Sequence, residues 1–428
     1  MVTMQREQGG FFAGWQCPPG DNRAMNNSLR YNPRLVGSLS VAQLISWGST
    51  FYLFALLMAP LEQALGLSRA ESSVAFSLAL LVEGLLAYPV GRWIDRGHER
   101  LVMSAGSLLA ALSLVLLSLV QGLLGLYLAW AGLGAAMAAM LYTPVFAVVT
   151  RRYPSDFRRA IITMTFLGGL ASTVFIPLIA WLMANWGWRT AVQVLAALHL
   201  LVCLPVHALA LRAAPGASGT GPLPDGNSDT LGQHVRSPRF FLIGIFLTLM
   251  MAITVAMPAH MVSLLREQGM SEAWAIALPA SIGVFQVAGR LLMYFFEHHL
   301  DVHRANRLIL LLLPLSLLVL LVLLAAPLLS GWQREVMLVF VLLWGMGNGM
   351  LTIVKGTAMA LYVSQAHVAS LNGALGLPLA LSRAAAPLLL GLLWSPAGGY
   401  STGIVTLLLG SLLGLGAFIL AQRRAALA

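Results

Sequence analysis

The chain has 428 residues, of which 59% are hydrophobic and only 9% charged, whereas a soluble chain of this length carries about a quarter charged residues. Its net charge of +10 comes from arginines that flank apolar runs rather than from a basic face with base-stacking groups, so nucleic-acid binding is set aside. Two cysteines, Cys17 in a polar extension and Cys203 in an apolar run, leave no disulfide framework.

Residues 1–34 carry Arg6, Arg23, Arg30 and Arg34 but no short apolar core ending in a small-residue cleavage site, so they read as a cytosolic tail rather than a cleaved signal. Apolar runs long enough to cross a bilayer, about 20 residues each, then follow at 35–61, 70–91, 101–120, 122–150, 158–184 and 190–211. The segment 212–238 is rich in Pro, Gly and Ser and reads as a flexible cytosolic linker. Six more runs lie at 239–264, 272–296, 305–329, 335–363, 369–395 and 400–422. The expected fold is an all-α polytopic membrane protein: twelve transmembrane helices in two six-helix bundles, 35–211 and 239–428. We number these runs as spans 1 to 12.

Arginine placement sets the orientation. With both termini in the cytosol, the outer loops hold only Arg69, Arg189, Arg266 and Arg334, and the other loop arginines fall inside. The halves also resemble each other. Gly132 and Gly134 precede Gly345 and Gly347 by 213 residues, a register that places Tyr142 on Lys355; Pro177 precedes Pro387 by 210. A duplicated bundle of this kind carries its solute path between the halves.

Four charges stand inside apolar spans: Glu83, Arg290, Lys355 and Arg383. Each costs roughly 2.5–3.5 kcal/mol to insert, so such groups face a cavity or one another. Lys355 is the single lysine of the chain, in "GMLTIVKGTAMA". A rise of 1.5 Å per residue puts Glu83 about 13 Å, and Arg290 about 10 Å, from the inner ends of their spans. Lys355, Gln43 and Tyr142 share this level, and Arg383 is placed nearer the outside. The competing readings are structural: Lys355 snorkelling to the surface, Arg290 on lipid phosphate, Glu83 as a structural ion-pair partner, Arg383 as a tether to carbonyls, and Trp47 and Tyr52 as packing. His260, near the outer end of span 7, reads as interfacial. "EHHLDVH" (297–303) reads as a solvated loop rather than a metal site, and "GMGNG" lacks the Lys-Ser/Thr of a phosphate loop.

Between spans 2 and 3 stands "GRWIDRGHER", with Gly91, Asp95, Arg96 and Arg100 in the pattern G-x-x-x-D-R-x-x-x-R. Gly91 is expected to let helices approach closely, and Asp95 and Arg96 to make charge-assisted contacts with neighbouring helix ends. In a twelve-span chain this loop resembles the hallmark loop of the major facilitator superfamily, where it acts as a gate element. The second-half counterpart is degenerate, with Tyr294 and His298 at the positions of Gly91 and Asp95.

A narrower resemblance is to the monocarboxylate and oxalate–formate carriers. "GLGAAMAAMLYTPVFAVVTRRYP" (132–154) is similar to their fourth span. "SIGVFQVAGRLL" (281–292) is similar to the eighth span of monocarboxylate carriers, with Arg290 at the substrate-binding Arg and Gln286 replacing the Asp four residues before it. Arg383 matches a cation that the oxalate–formate type carries in span 11.

Three cations against one acid leave a positive interior suited to an anion. The expectation is therefore a secondary transporter of a small organic anion, working by alternating access as a monomer in a bacterial inner membrane, with no cofactor. Its site would comprise Lys355, Arg290, Arg383, Tyr142, Gln286, Gln43 and Trp47, with Glu83 carrying a coupled proton. Export of a neutral or amphipathic compound is the alternative. A membrane enzyme or sensor is disfavoured, because no nucleophile–base constellation or added soluble domain is visible.

Overall fold

The computed structural model describes residues 32–153, 157–212, 228–296, 301–325, 331–364, 371–372 and 374–426, and among these the regular structure is helical throughout. The first span, Pro33–Leu65, starts where Asn32 accepts from the backbone N–H of Arg34 at 3.0 Å and of Leu35 at 3.3 Å, with Pro33 at the first helical position. It loosens to a π-helix over Trp47–Tyr52 and ends at Gly66 in the left-handed region, φ 65°. The second, Arg69–Asp95, opens on a reciprocal capping box between Ser68 and Glu71. The third is Glu99–Ser118.

The fourth span breaks once. Leu123–Met140 gives way to an extended Leu141 before Tyr142–Arg152 resumes. Pro144 is the reason: lacking an N–H, it frees the carbonyl of Met140 four residues back. That carbonyl is taken by Gln43 Nε2 from span 1, at 2.5 Å.

Phe157–Gly169 and Ala171–Leu198 follow, and the latter contains a reversal at Gly187 (φ 78°, ψ 164°) that divides it between spans 5 and 6. Span 6 continues through a π-helix, His199–Cys203, to Leu204–Ala210. Pro205 removes the donor that would bond Leu201, and the ladder widens there.

The linker is not wholly irregular, since Ser228–Val235 is a short helix. The second half comprises Pro238–Glu267, Glu272–Phe296, Val302–Ala325, Gln333–Tyr362, Gly376–Leu392 and Ser401–Ala426. With the Gly187 reversal, these make twelve spans in two bundles. An even number of crossings puts Pro33 and Ala426 on one side, the termini end, and Arg69 on the other.

Each half has its own core. In the first, Phe54 and Phe76 stack at 4.7 Å with Trp130 edge-on to both. In the second, Phe246, Phe418, Trp344 and Tyr362 are buried together. Glycines bring helices close. A Cβ on Gly134 would sit 2.1 Å from Ala79 O of span 2, and one on Gly349 would sit 2.3 Å from Gln286 O of span 8. Gly132 faces Ser113 of span 3, and Gly347 faces Leu312 of span 9. These contacts pair Gly132 with Gly347 and Gly134 with Gly349, a register of 215 rather than 213. The counterpart of Tyr142 is then Thr357, and the expected equivalence with Lys355 is corrected.

The hallmark loop also differs from expectation. Gly91 has nothing within 4 Å of a built Cβ, so it is not a close-packing position in this conformation. Arg96 is exposed, and the side chain of Asp95 lies outside the described residues. The buried anchor is Glu99, fully inaccessible and ion-paired to Arg152 at 2.5 Å, while Arg152 also donates to Leu211 O at 3.1 Å. Arg100 donates to Ala208 O at 2.7 Å. The loop thereby ties the ends of spans 4 and 6 within the first half. In the histidine-rich stretch, residues 297–300 lie outside the described residues, and His303 bonds the Tyr362 hydroxyl at 3.1 Å.

Candidate functional site

A cavity of about 290 Å3 lies between the halves at mid-depth. The π-helical stretch of span 1 turns Trp47, Phe51 and Tyr52 towards it, and the break at Leu141 turns Tyr142 and Thr143 towards it. Gly168 and Gly169 of span 5 let the opposite wall come near: a Cβ on Gly168 would meet the Tyr142 hydroxyl, and one on Gly169 would lie 3.2 Å from an Arg290 guanidinium nitrogen. The second half contributes Met251 and Thr254 (span 7), Gln286 and Arg290 (span 8), Asn348 and Lys355 (span 10) and Arg383 (span 11).

The charges are not equivalent. Glu83 and Arg383 form an ion pair across the halves at 2.9 Å, each less than a fifth exposed. Arg383 therefore lies level with Glu83, which corrects its placement nearer the outside. Arg290 donates to two backbone carbonyls, Thr165 O in the first half at 3.0 Å and Gly349 O at 3.3 Å. Lys355 aims its ammonium at Met251 Sδ, 3.4 Å away. Among the described residues no carboxylate is within ion-pair distance of Lys355 or Arg290. Two cations thus face the cavity with no acid paired to them among the described residues, and carbonyl or thioether contacts do not neutralise them.

The aromatic side is a packed wall. Trp47 meets Tyr142 at 4.9 Å and Phe51 at 5.4 Å, and Tyr142 stacks on Phe146 at 5.0 Å. Behind it, Ser49 donates to Ile45 O at 2.7 Å, which leaves its oxygen to accept from His199 Nε2, also 2.7 Å away.

Of the residues expected from sequence, Trp47, Tyr142, Gln286, Arg290, Lys355, Arg383 and Glu83 meet at this cavity. Gln43 does not line it; it is buried and its amide is spent on Met140. Phe51, Thr143, Thr254 and Asn348 also line the cavity, as does Tyr52, whose sequence context reads as packing. Tyr52 and Asn348 sit among residues already noted, but nothing in their spacing separates a lining position from a packed one. A larger groove of about 570 Å3 between spans 7, 11 and 12 holds no charged group.

At the Arg69 end the halves are joined by a second polar cluster. Arg69 of span 2 pairs with Glu62 of the same half at 3.2 Å and with Glu267 of the other. It donates to the Tyr400 hydroxyl at 2.9 Å and lies over the Trp394 ring at 4.4 Å. His260, expected at the interface with lipid, is instead fully buried behind this cluster. Its Nε2 lies 2.9 Å from Pro387 O, which can only accept, so Nδ1 accepts from the Tyr400 hydroxyl 3.0 Å away. In sequence Arg69 reads as a loop charge, since its partner Glu267 is 198 residues away.

Two helical bundles of six spans closing on a polar central cavity define a membrane carrier architecture. The chain matches the family model of the Major Facilitator Superfamily over residues 39–387, and it belongs to that family. Among curated proteins it is 36% identical over 107 residues to monocarboxylate transporter 13 of Rattus norvegicus, 24% of this chain and 25% of that one. It is 28% identical over 208 residues to monocarboxylate transporter 13 of Bos taurus, 47% of each. The chain thus spans between a quarter and a half of the length of these relatives. Among solved structures it superposes on a POT family transporter in complex with a thioalcohol-conjugated peptide with a TM-score of 0.72 at 15% identity, covering 93% of this chain and 98% of that one. It also superposes on a bacterial homologue of the human lysosomal transporter Spinster, inward-facing and occupied, with a TM-score of 0.68 at 16% identity and coverage of 92% and 98%. At such identities the superpositions establish the fold.

Proposed function

We propose that this superfamily member is a secondary transporter that carries a small organic anion by alternating access, binding it in the cavity between the halves. The observation that carries this reading is the pair of cations, Lys355 and Arg290, that face the cavity with no carboxylate beside them. Charge-assisted bonds from an anion to these groups are the strong kind. The likeness to monocarboxylate transporters supports the same class.

The polar cluster around Arg69 supports a conformation closed at that end, with the solute path leading towards the termini end. The distribution of loop arginines supports termini in the cytosol, and the membrane proposed is the bacterial inner membrane. Glu83 is the proposed proton carrier, because its ion pair with Arg383 joins the two halves and must part or move when they rearrange.

The test is a thermal-shift screen of carboxylates, phosphates and cationic compounds on the purified protein. A ligand that binds the native state raises the unfolding temperature, and anions are expected to do so in wild type but far less in Lys355→Met. Stabilisation by cationic or neutral compounds alone would overturn the reading.

A further inference from the structure

We infer that the anion is a monocarboxylate bearing an aromatic ring, an inference that rests on the anion-transport reading above. The cavity is two-sided. The uncompensated cations Lys355 and Arg290 belong to the second half, with Gln286 and Asn348 beside them as neutral hydrogen-bonding groups. The first half presents ring faces and edges, Trp47, Phe51, Tyr52 and Tyr142, with Thr143 and the paired Glu83 as its polar groups.

This wall is held in place from behind. Phe51 packs edge-on to Phe76 at 5.4 Å, and Phe76 stacks on Phe54 at 4.7 Å. Residues placed this way cannot withdraw to let a purely polar solute fill the space. A ligand that satisfies both walls has one anionic end and one apolar, flat end. Rings favour rings here because edge-to-face and offset pairs add attraction beyond buried area.

The same geometry argues against a second carboxylate. Its place would be against ring faces, which carry negative quadrupole density, and on the side where Glu83 stands with its charge already balanced by Arg383. The hydroxyls of Tyr52, Tyr142 and Thr143 line the same side and can serve a neutral ring substituent such as a hydroxyl. At about 290 Å3 the cavity sits at the small end of ligand sites, which run roughly 300–1,000 Å3, and this suits one ring better than a fused system.

The experiment is calorimetric titration of the purified full chain with benzoate, cyclohexanecarboxylate and benzamide. Benzoate and cyclohexanecarboxylate share charge and carbon count but differ in the ring's π-system; benzamide keeps the ring and loses the charge. Benzoate is expected to bind about five- to tenfold tighter than cyclohexanecarboxylate and to outcompete benzamide by a wider margin. Trp47→Leu should collapse the benzoate-to-cyclohexanecarboxylate ratio towards one. Equal binding of the two acids, with benzamide weak, overturns the aromatic assignment and leaves the anion reading standing. Benzamide binding as tightly as benzoate overturns the anion reading itself. Benzoate that fails to bind at millimolar concentration, while an aliphatic carboxylate binds, also overturns the aromatic assignment.

Discussion

Glu83 and Arg383 stand 300 residues apart in sequence and 2.9 Å apart in space, one on each half of the molecule. Their ion pair bridges the two halves at the level of the cavity, so a movement that separates spans 2 and 11 must break it or carry it along. Removing one partner leaves a charge in a low-dielectric site, which is costly unless the group changes protonation.

That arrangement makes Glu83 the place to look for coupling. Glu83→Gln, in reconstituted vesicles, is expected to abolish transport driven by a pH gradient while sparing solute exchange. Equal loss of both activities would identify the pair as structural.

Lys355 is the cation with the weakest protein contact. Lys355→Met keeps an unbranched side chain of similar length and is expected to weaken anion binding about 10- to 100-fold, the worth of a charge-assisted hydrogen bond of roughly 1.5–3 kcal/mol. Lys355→Arg should rescue only in part, since a planar fork replaces a compact ammonium. If Arg290 grips the same ligand, Lys355→Met with Arg290→Met will be less than additive in titration calorimetry. Wild-type affinity in Lys355→Met would remove the lysine from the site.

Arg69 should act on conformation rather than on binding chemistry, because its partners Glu267, Tyr400 and Trp394 lie across the interface at the end remote from the termini. Arg69→Ala is expected to shift the balance of open and closed forms by a coupling of order 1–3 kcal/mol. Reactivity of a cysteine introduced at Ser263, which faces Met58 across the same interface at 3.5 Å, would report it as faster labelling. Unchanged labelling would show that the cluster does not hold this end shut.

The Glu99–Arg152 pair is expected to govern stability instead. It is buried and confined to the first half, so Glu99→Gln should cost about 3–5 kcal/mol through the stranded arginine. Replacing both residues with apolar ones should cost much less. Thermal unfolding of the two variants separates these outcomes, and a mild Glu99→Gln would mean that water already reaches the pair.

The sequence by itself determined the class of the molecule. Within a bilayer every backbone polar group must be satisfied inside its own segment, so an uninterrupted apolar run of sufficient length has one structural outcome, a helix. The twelve spans, the duplicated halves and the depth of Glu83, Arg290 and Lys355 are all properties of local runs and of rise along a helix. The direction in which a side chain points is not. Gln43 lies at the depth of the site, yet it turns away to the carbonyl of Met140 that Pro144 sets free, and His260 turns inward to Tyr400 and Pro387 rather than to lipid. Arg69 and Arg383 find their acids only when helices far apart in the chain are laid side by side. Those pairings are set by which helix faces which neighbour, and the close approaches at Gly134, Gly168 and Gly349 show how much of that choice rests on interhelical packing, which no single span encodes.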